Sequence, residues 1–187
     1  MVPVQDVIKS LLVWYDRHNM KKLFFITGAS GAGKTTTIKN IQKDNKDIAF
    51  FYFDSIGVPS QEDREKYFGG GEEWQRITTN KWVKRIKEEV LGDVIAVLDG
   101  QIRPSFIDQA CKGEEIENYE VVLLDCNDEE RFKRLINRGS TSLATTDMIN
   151  WAEYLRNESV ARGYTIIDNS IYSMGETAKV LSQILLR

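Results

Sequence analysis

The chain has 187 residues, 42% of them hydrophobic and 28% charged, which is enough for one sizeable core and short for two. A net charge of −3 excludes a global basic field for nucleic acid or an anionic membrane, and no apolar run reaches membrane-spanning length. The opening Met1-Val2-Pro3-Val4-Gln5-Asp6 lacks the basic-then-apolar order of a signal peptide, so a cytoplasmic location is expected.

Taken in chain order, Val4, Val7, Ile8, Leu11, Leu12 and Tyr15 recur at helical spacing and predict an amphipathic leader helix over residues 4–18. Its apolar stripe must be covered, either by the sheet of the same chain or by a second copy, so a monomer or a homodimer is expected. The single histidine, His18, sits on a polar stretch and offers little to a histidine-based mechanism. Next comes the apolar run Leu23-Phe24-Phe25-Ile26-Thr27, a predicted strand, and directly after it Gly28-Ala29-Ser30-Gly31-Ala32-Gly33-Lys34-Thr35, a complete G-x-x-x-x-G-K-[ST] phosphate loop. A strand ending in a glycine-rich turn that opens a helix aims backbone N–H groups and the positive helix end at one point. Residues Gly28 to Thr36 are therefore expected to bind a nucleoside triphosphate, with Lys34 reaching its phosphates and the Thr35 hydroxyl holding Mg²⁺.

Further strands are predicted at residues 48–53, 94–98, 120–124 and 164–167, with helices beginning near Lys34, Gln75, Ser105, Asp128 and Thr146 and a last one over 174–186. This alternation predicts a three-layer α/β fold of the P-loop NTPase type, a five-stranded, mostly parallel sheet with helices on both faces. The whole chain, 1–187, reads as one domain. Two stretches look mobile: an acceptor-side segment, 56–73, which contains Gly69-Gly70-Gly71, and a short lid, 138–146, rich in small polar residues. Tyr67, Phe68 and Trp74 are there either to stack on an aromatic acceptor or to anchor the first segment. Cys111 and Cys126 are widely spaced, match no metal pattern and read as reduced thiols.

Parallel sheets place their sites at the carboxyl ends of the strands, where Asp54, Asp99 and Asp125 are predicted to lie. Asp99 closes Ile95-Ala96-Val97-Leu98, the pattern of a Mg²⁺-linked carboxylate beside a phosphate loop, or alternatively of a cap or turn residue. Asp54 follows four aromatics and is expected near the γ-phosphate on the acceptor side, where a carboxylate can orient a hydroxyl and take its proton; a plain Asx-turn is the competing account. From Asp128 to Arg138, Phe132, Leu135 and Ile136 take one helical face while Arg131, Arg134 and Arg138 project from another. Such a row is a solvated face or a source of guanidinium groups for base and phosphates, with Arg131 expected to be the solvated neighbour.

At this point the chain resembles the nucleoside monophosphate kinases and related small-molecule kinases. Leu98-Asp99-Gly100-Gln101-Ile102-Arg103 is similar to the L-D-G-x-x-R segment of adenylate kinases, and Asp128 to Arg138 resembles their D-E-x-x-x-x-R-x-x-x-R helix. The resemblance implies that Arg134 lies against the base, that Arg138 contacts phosphates, and that Arg103 serves the acceptor. Two departures bear on the substrate. The stretch Gly139-Ser140-Thr141-Ser142 resembles a short lid rather than a long insertion, and no T-G-D-x-[LM]-R monophosphate motif is found. Asp54 instead looks like the hydroxyl-binding acid of shikimate, gluconate or chloramphenicol kinases. The expected activity is ATP- and Mg²⁺-dependent phosphate transfer to a small-molecule hydroxyl or a nucleoside or nucleotide, with Lys34, Asp54 and Arg138 catalytic, Asp54 and Arg103 binding the acceptor, and Thr35 and Asp99 holding the metal. The alternative is a P-loop ATPase or nucleotide-dependent switch acting on a partner, for which Gln101 is the candidate to orient water, or a nucleotide sensor without turnover.

Overall fold

Leu23 to Thr27 is buried along its whole length, which is how a central strand covered on both faces reads. The structure is a computed structural model and describes residues 22–90 and 94–187. The leader helix expected at 4–18, with His18, lies outside the described residues.

In chain order the elements are β1 (Leu23–Thr27), α1 (Lys34–Asp44), β2 (Ile48–Tyr52), a 3₁₀ turn (Phe53–Ile56), α2 (Gln61–Phe68), α3 (Gly71–Glu89), β3 (Ile95–Asp99), α4 (Pro104–Gly113), β4 (Tyr119–Asp125), α5 (Asp128–Asn137), a short 3₁₀ turn (Thr141–Leu143), α6 (Thr146–Ala161), β5 (Thr165–Asp168) and α7 (Met174–Leu185). The sheet is parallel throughout in the order β2-β3-β1-β4-β5. Period-two alternation divides its side chains between two cores. Phe25, Leu98 and Val121 pack with Trp82, Val83 and Ile107 beneath α3 and α4, while Phe24, Ile26, Val97 and Val122 pack with Ile38, Ile41 and Leu181 beneath α1 and α7. A smaller cluster of Ala29, Leu123, Ala152 and Leu155 seats α6. The three-layer α/β expectation is met, and the sheet is wholly parallel.

The sheet order places β1 and β3 side by side, with Ile26 opposite Asp99, so the phosphate loop and the Asp99 carboxylate leave the sheet at the same edge. Three local expectations change. β2 stops at Tyr52, and Asp54 sits in the following 3₁₀ turn because the Trp82 indole N–H donates to the Phe53 carbonyl (3.1 Å) and the Gly57 N–H to the Asp54 carbonyl (3.0 Å). Within the stretch 56–73, residues 61–68 form a helix started by Ser60, whose hydroxyl accepts the Asp63 N–H. Helix α3 begins at Gly71 rather than near Gln75, and Trp74 is buried against the Phe53 ring as an anchor. Phe68 packs on the same core while Tyr67 stays exposed. Both cysteines are free and buried.

Candidate functional site

The phosphate loop is shaped by close approach. Gly31 and Gly33 both have φ of 86°, the left-handed region that favours glycine, and a Cβ on Gly31 would meet Arg131 Cγ at 2.8 Å. Gly33 is the N-cap of α1 and contributes no side-chain cap, so the first N–H groups of the helix remain available at the cavity that Gly33, Lys34, Thr35 and Thr36 line. This cavity encloses about 610 Å³ and brings together Ser30, Gly31, Lys34, Thr35, Asp54, Asp99 and Arg138, with Lys39, Tyr52 and Ser55 as additions that sequence reasoning missed.

Lys34 is buried and its ammonium donates to the Ala29 carbonyl (3.3 Å). Burial pushes its pKa below the ordinary lysine value, the carboxylates of Asp99 and Asp54 oppose that shift, and Arg131 and Arg138 reinforce it. Beside it the Thr35 hydroxyl donates to Asp99 Oδ2 (2.6 Å), whereas Asp99 Oδ1 is buried with no donor among the described residues. Burial raises the Asp99 pKa, offset in part by the Lys34 charge and the Thr35 hydroxyl. A buried carboxylate oxygen without a donor is costly. A hydroxyl and a carboxylate this close form an all-oxygen donor pair, which suits Mg²⁺, an ion that takes one or two carboxylates together with water and phosphate oxygens. The residues therefore fit the metal.

The segment after β3 locks onto the loop. Gln101 accepts from the Ser30 N–H (3.0 Å) and donates to the Ser30 hydroxyl (3.1 Å), and Thr27 Oγ1 both donates to the Ile102 carbonyl (2.8 Å) and accepts the Ile102 N–H (3.2 Å). Gly100 is required here, since a Cβ would come within 2.6 Å of Phe53 Cβ.

The arginine row does not share one environment. Arg131 is fully buried, contrary to the solvated role expected of it. Its guanidinium donates to Asp125 Oδ1 (2.7 Å), to the Cys126 carbonyl (2.8 Å) and to the Ser30 carbonyl of the loop (3.3 Å), and Asp125 in turn accepts Arg156 from α6 (2.7 Å). Asp125 is thus the centre of a structural bridge between the phosphate loop and α6. Arg134 is held flat by Glu130 (3.0 Å) and by Asn169 (2.8 Å), and lines a second cavity of about 510 Å³ with Thr36, Arg138, Tyr172 and Met174. Asn169, also missed, is buried and donates to the Ala32 carbonyl (2.8 Å). Its position just past β5 was the available signal, because strand carboxyl ends carry the site. Arg138 is exposed, lines both cavities and makes no ion pair among the described residues.

A third cavity of about 410 Å³ shares Phe53, Asp54 and Gln101 with the first and adds Arg64, Trp74, Gln75, Arg103 and Trp151. Asp54 is exposed at this junction, and nothing among the described residues donates to its carboxylate, which removes the Asx-turn account. Arg103 donates to Gln75 Oε1 (2.9 Å), pairs with Glu72 (3.4 Å) and lies over the Trp151 ring (4.8 Å), which stacks on Tyr154.

Residues 25–160 match the AAA domain family, well over half of the chain. The chain belongs to that family. This AAA domain protein is also similar to a guanylate kinase from Prochlorococcus marinus subsp. pastoris, 29% identical over 140 residues that cover 65% of this chain and 74% of the relative. Among solved structures, a gluconokinase from Sinorhizobium meliloti 1021 has a TM-score of 0.65 at 16% identity, covering 89% of this chain and 92% of that one. A deoxyadenosine kinase from M. mycoides has a TM-score of 0.60 at 13% identity, covering 88% and 98%. At such identities the structural likeness speaks for fold. Together these findings bear out the resemblance to P-loop kinases of the small-molecule and nucleoside monophosphate type expected from the sequence. No helix among the described residues is long and apolar enough to cross a membrane.

Proposed function

We propose that this protein is a cytoplasmic kinase that moves the γ-phosphate of ATP, with Mg²⁺, to a small acceptor, and that the attacking group is a hydroxyl. The observation that carries the reading is the exposed Asp54 carboxylate at the junction of the phosphate-loop cavity and the third cavity, with no donor to it among the described residues. A carboxylate there accepts the proton of an alcohol as its oxygen attacks phosphorus, whereas it repels an incoming phosphate anion, so a nucleotide attacking through its phosphate fits less well.

In this reading the loop amides and Lys34 hold the triphosphate, and Arg134 presents a flat guanidinium to the base. Mg²⁺ held by Thr35 and Asp99 would neutralise charge on the phosphate oxygens. Arg138, exposed and unpaired among the described residues, is free to follow the charge that develops on the transferred group. Catalysis is then positioning plus charge neutralisation, which requires neither histidine nor thiol. The switch or ATPase reading is weakened because both ends of the Gln101 amide are engaged by Ser30 and do not address a water.

Asp54→Asn tests the assignment by keeping shape while removing the base. Phosphate transfer is expected to fall about 10²- to 10⁴-fold while ATP affinity, measured by calorimetry with Mg²⁺ present, stays within a few fold. Loss of ATP and Mg²⁺ binding would instead assign Asp54 to the metal site, and unchanged transfer would leave it a turn residue.

A further inference from the structure

The strip from Gln101 to Arg103 lies between β3 and α4 and belongs to neither, so its backbone polar groups need partners from elsewhere. Two buried side chains supply them. Thr27 serves Ile102 through its hydroxyl, and Gln75 of α3 serves the residues on either side. The Gln75 Nε2 amide donates to the Gln101 carbonyl (2.8 Å), while Oε1 accepts both the Arg103 N–H (3.2 Å) and the Arg103 guanidinium (2.9 Å). Gln75 belongs to a buried set on α3 that includes Trp74, Trp82 and Val83, where an amide is costly unless its partners are fixed. The same strip carries the clamp on the phosphate loop. The Gln101 side chain holds Ser30 at its N–H and its hydroxyl, and Arg131 holds the Ser30 carbonyl (3.3 Å). One buried amide therefore ties down both neighbours of Ile102: the residue that grips the donor loop, and the arginine that lies over Trp151 on the wall of the third cavity.

We propose that Gln75 is a positioning residue for the phosphate loop and for Arg103 at once, acting on a bound nucleotide through the backbone of Gln101. Gln75 lines the third cavity and not the phosphate-loop cavity, so its effect on a nucleotide passes through Gln101 and Ser30. The two sides of its amide have separate tasks. The Nε2 side fixes the Gln101 backbone from which the side chain reaches Ser30, and without it the loop amides lose the single arrangement that fits a triphosphate. The Oε1 side fixes the Arg103 guanidinium over Trp151, in the cavity that the hydroxyl-kinase reading gives to the acceptor. The nucleotide side of the inference needs only the phosphate loop. The Arg103 side rests on the hydroxyl-kinase reading for its purpose and not for its geometry.

The test separates the two sides of the amide. Gln75→Leu removes both, whereas Gln75→Glu keeps an oxygen for Arg103 and sets a carboxylate oxygen against the Gln101 carbonyl. Affinity for Mg-ATP is measured by calorimetry. The placement of Arg103 is followed by ¹⁹F NMR of protein labelled with fluorotryptophan, the Trp151 signal being assigned with Trp151→Phe. Both Gln75 variants are expected to weaken Mg-ATP binding by about 3- to 10-fold, the effect of one hydrogen bond. Only Gln75→Leu should move the Trp151 signal. Gln101→Leu should weaken Mg-ATP binding by a similar factor, and combining it with Gln75→Leu should add no further loss, because the two residues act in series. Full additivity in this cycle, unchanged Mg-ATP affinity in both Gln75 variants, or a Trp151 signal that stays in place in Gln75→Leu overturns the proposal. A wild-type protein that binds no Mg-ATP overturns the phosphate-loop reading and the proposal with it, whereas Mg-ATP binding without transfer to any alcohol overturns the hydroxyl-kinase reading alone. Thermal melting separates these outcomes from loss of fold, and the cycle of Gln75→Glu with Gln101→Leu decides the same question if Gln75→Leu does not fold.

Discussion

The donor and acceptor halves of the site are built in opposite ways. Around the phosphate loop almost every polar group has an assigned partner: Ser30 with Gln101, the Ala32 carbonyl with Asn169, the Ser30 carbonyl with Arg131, and Thr35 with Asp99. Around Asp54 the chain makes a 3₁₀ turn and an almost wholly polar helix with no buried residue, and neither the Asp54 carboxylate nor the Arg64 Nε–H has a hydrogen-bond partner among the described residues. A triphosphate is a common ligand with fixed shape, so its cradle can be rigid and prearranged. The acceptor distinguishes one kinase from another, and its half is drawn from the less restrained parts of the fold.

The contrast is broken most sharply at Lys34. Its charge is directed at the phosphates from a buried position, so Lys34→Ala should reduce turnover by about 10²- to 10³-fold or more. Because the wild-type ammonium is a buried charge whose pKa burial depresses, the variant should melt no lower than wild type. Turnover and melting are measured together, and wild-type turnover in a folded variant would remove the phosphate-loop assignment.

A smaller effect, on stability rather than chemistry, separates two members of the arginine row. Arg131→Ala strips Asp125 of its buried partner, a change that costs roughly 3–5 kcal/mol and lowers the melting temperature by about 10 °C for a chain of this length. It also frees the Ser30 carbonyl, so ATP KM should rise. Arg138→Ala, exposed and unpaired among the described residues, should shift stability by no more than about 0.5 kcal/mol while depressing turnover. Similar melting curves for the two variants would show that the bridge from the phosphate loop to α6 carries little.

The smallest effect concerns Asp99. Burial raises its folded-state pKa above the unfolded value, so the native state holds the proton more tightly. Its contribution to stability is therefore full below the ordinary carboxylate pKa and is lost as pH rises through the raised value. Asp99→Asn has no such loss. Without Mg²⁺ its melting temperature should exceed that of wild type by a few degrees at neutral pH and match it in acid, and its ATP binding should no longer respond to Mg²⁺. Parallel curves across the pH range would show that the acid is not held at a cost for a cation.

Local chemistry already announces much of this molecule. The strand β1, the glycines of its loop, Lys34 and Thr35 form one uninterrupted string, and the apolar run ending in Asp99 is legible because a buried strand must be apolar until it reaches the site. The donor half was readable for that reason. Other features were present but overlooked: Ser60 followed three residues later by Asp63 is a helix-start signal, hidden because the helix it opens has no apolar stripe.

What the sequence by itself determined, then, is the order of elements, the phosphate loop and the acids at the carboxyl ends of β3 and β4. Those depend on periodicity and on backbone conformations that only certain residues adopt, and both are local. Only the tertiary structure decided that Arg131 is buried beneath the loop instead of solvated, that Asn169 reaches across to Ala32, that Gln101 clamps Ser30, and that Arg64 and Asp54 face one cavity. Each of these pairs residues from different elements. Whether a charged side chain on a helix meets water or a buried carboxylate depends on which element packs over it, and helical spacing carries no information about that neighbour.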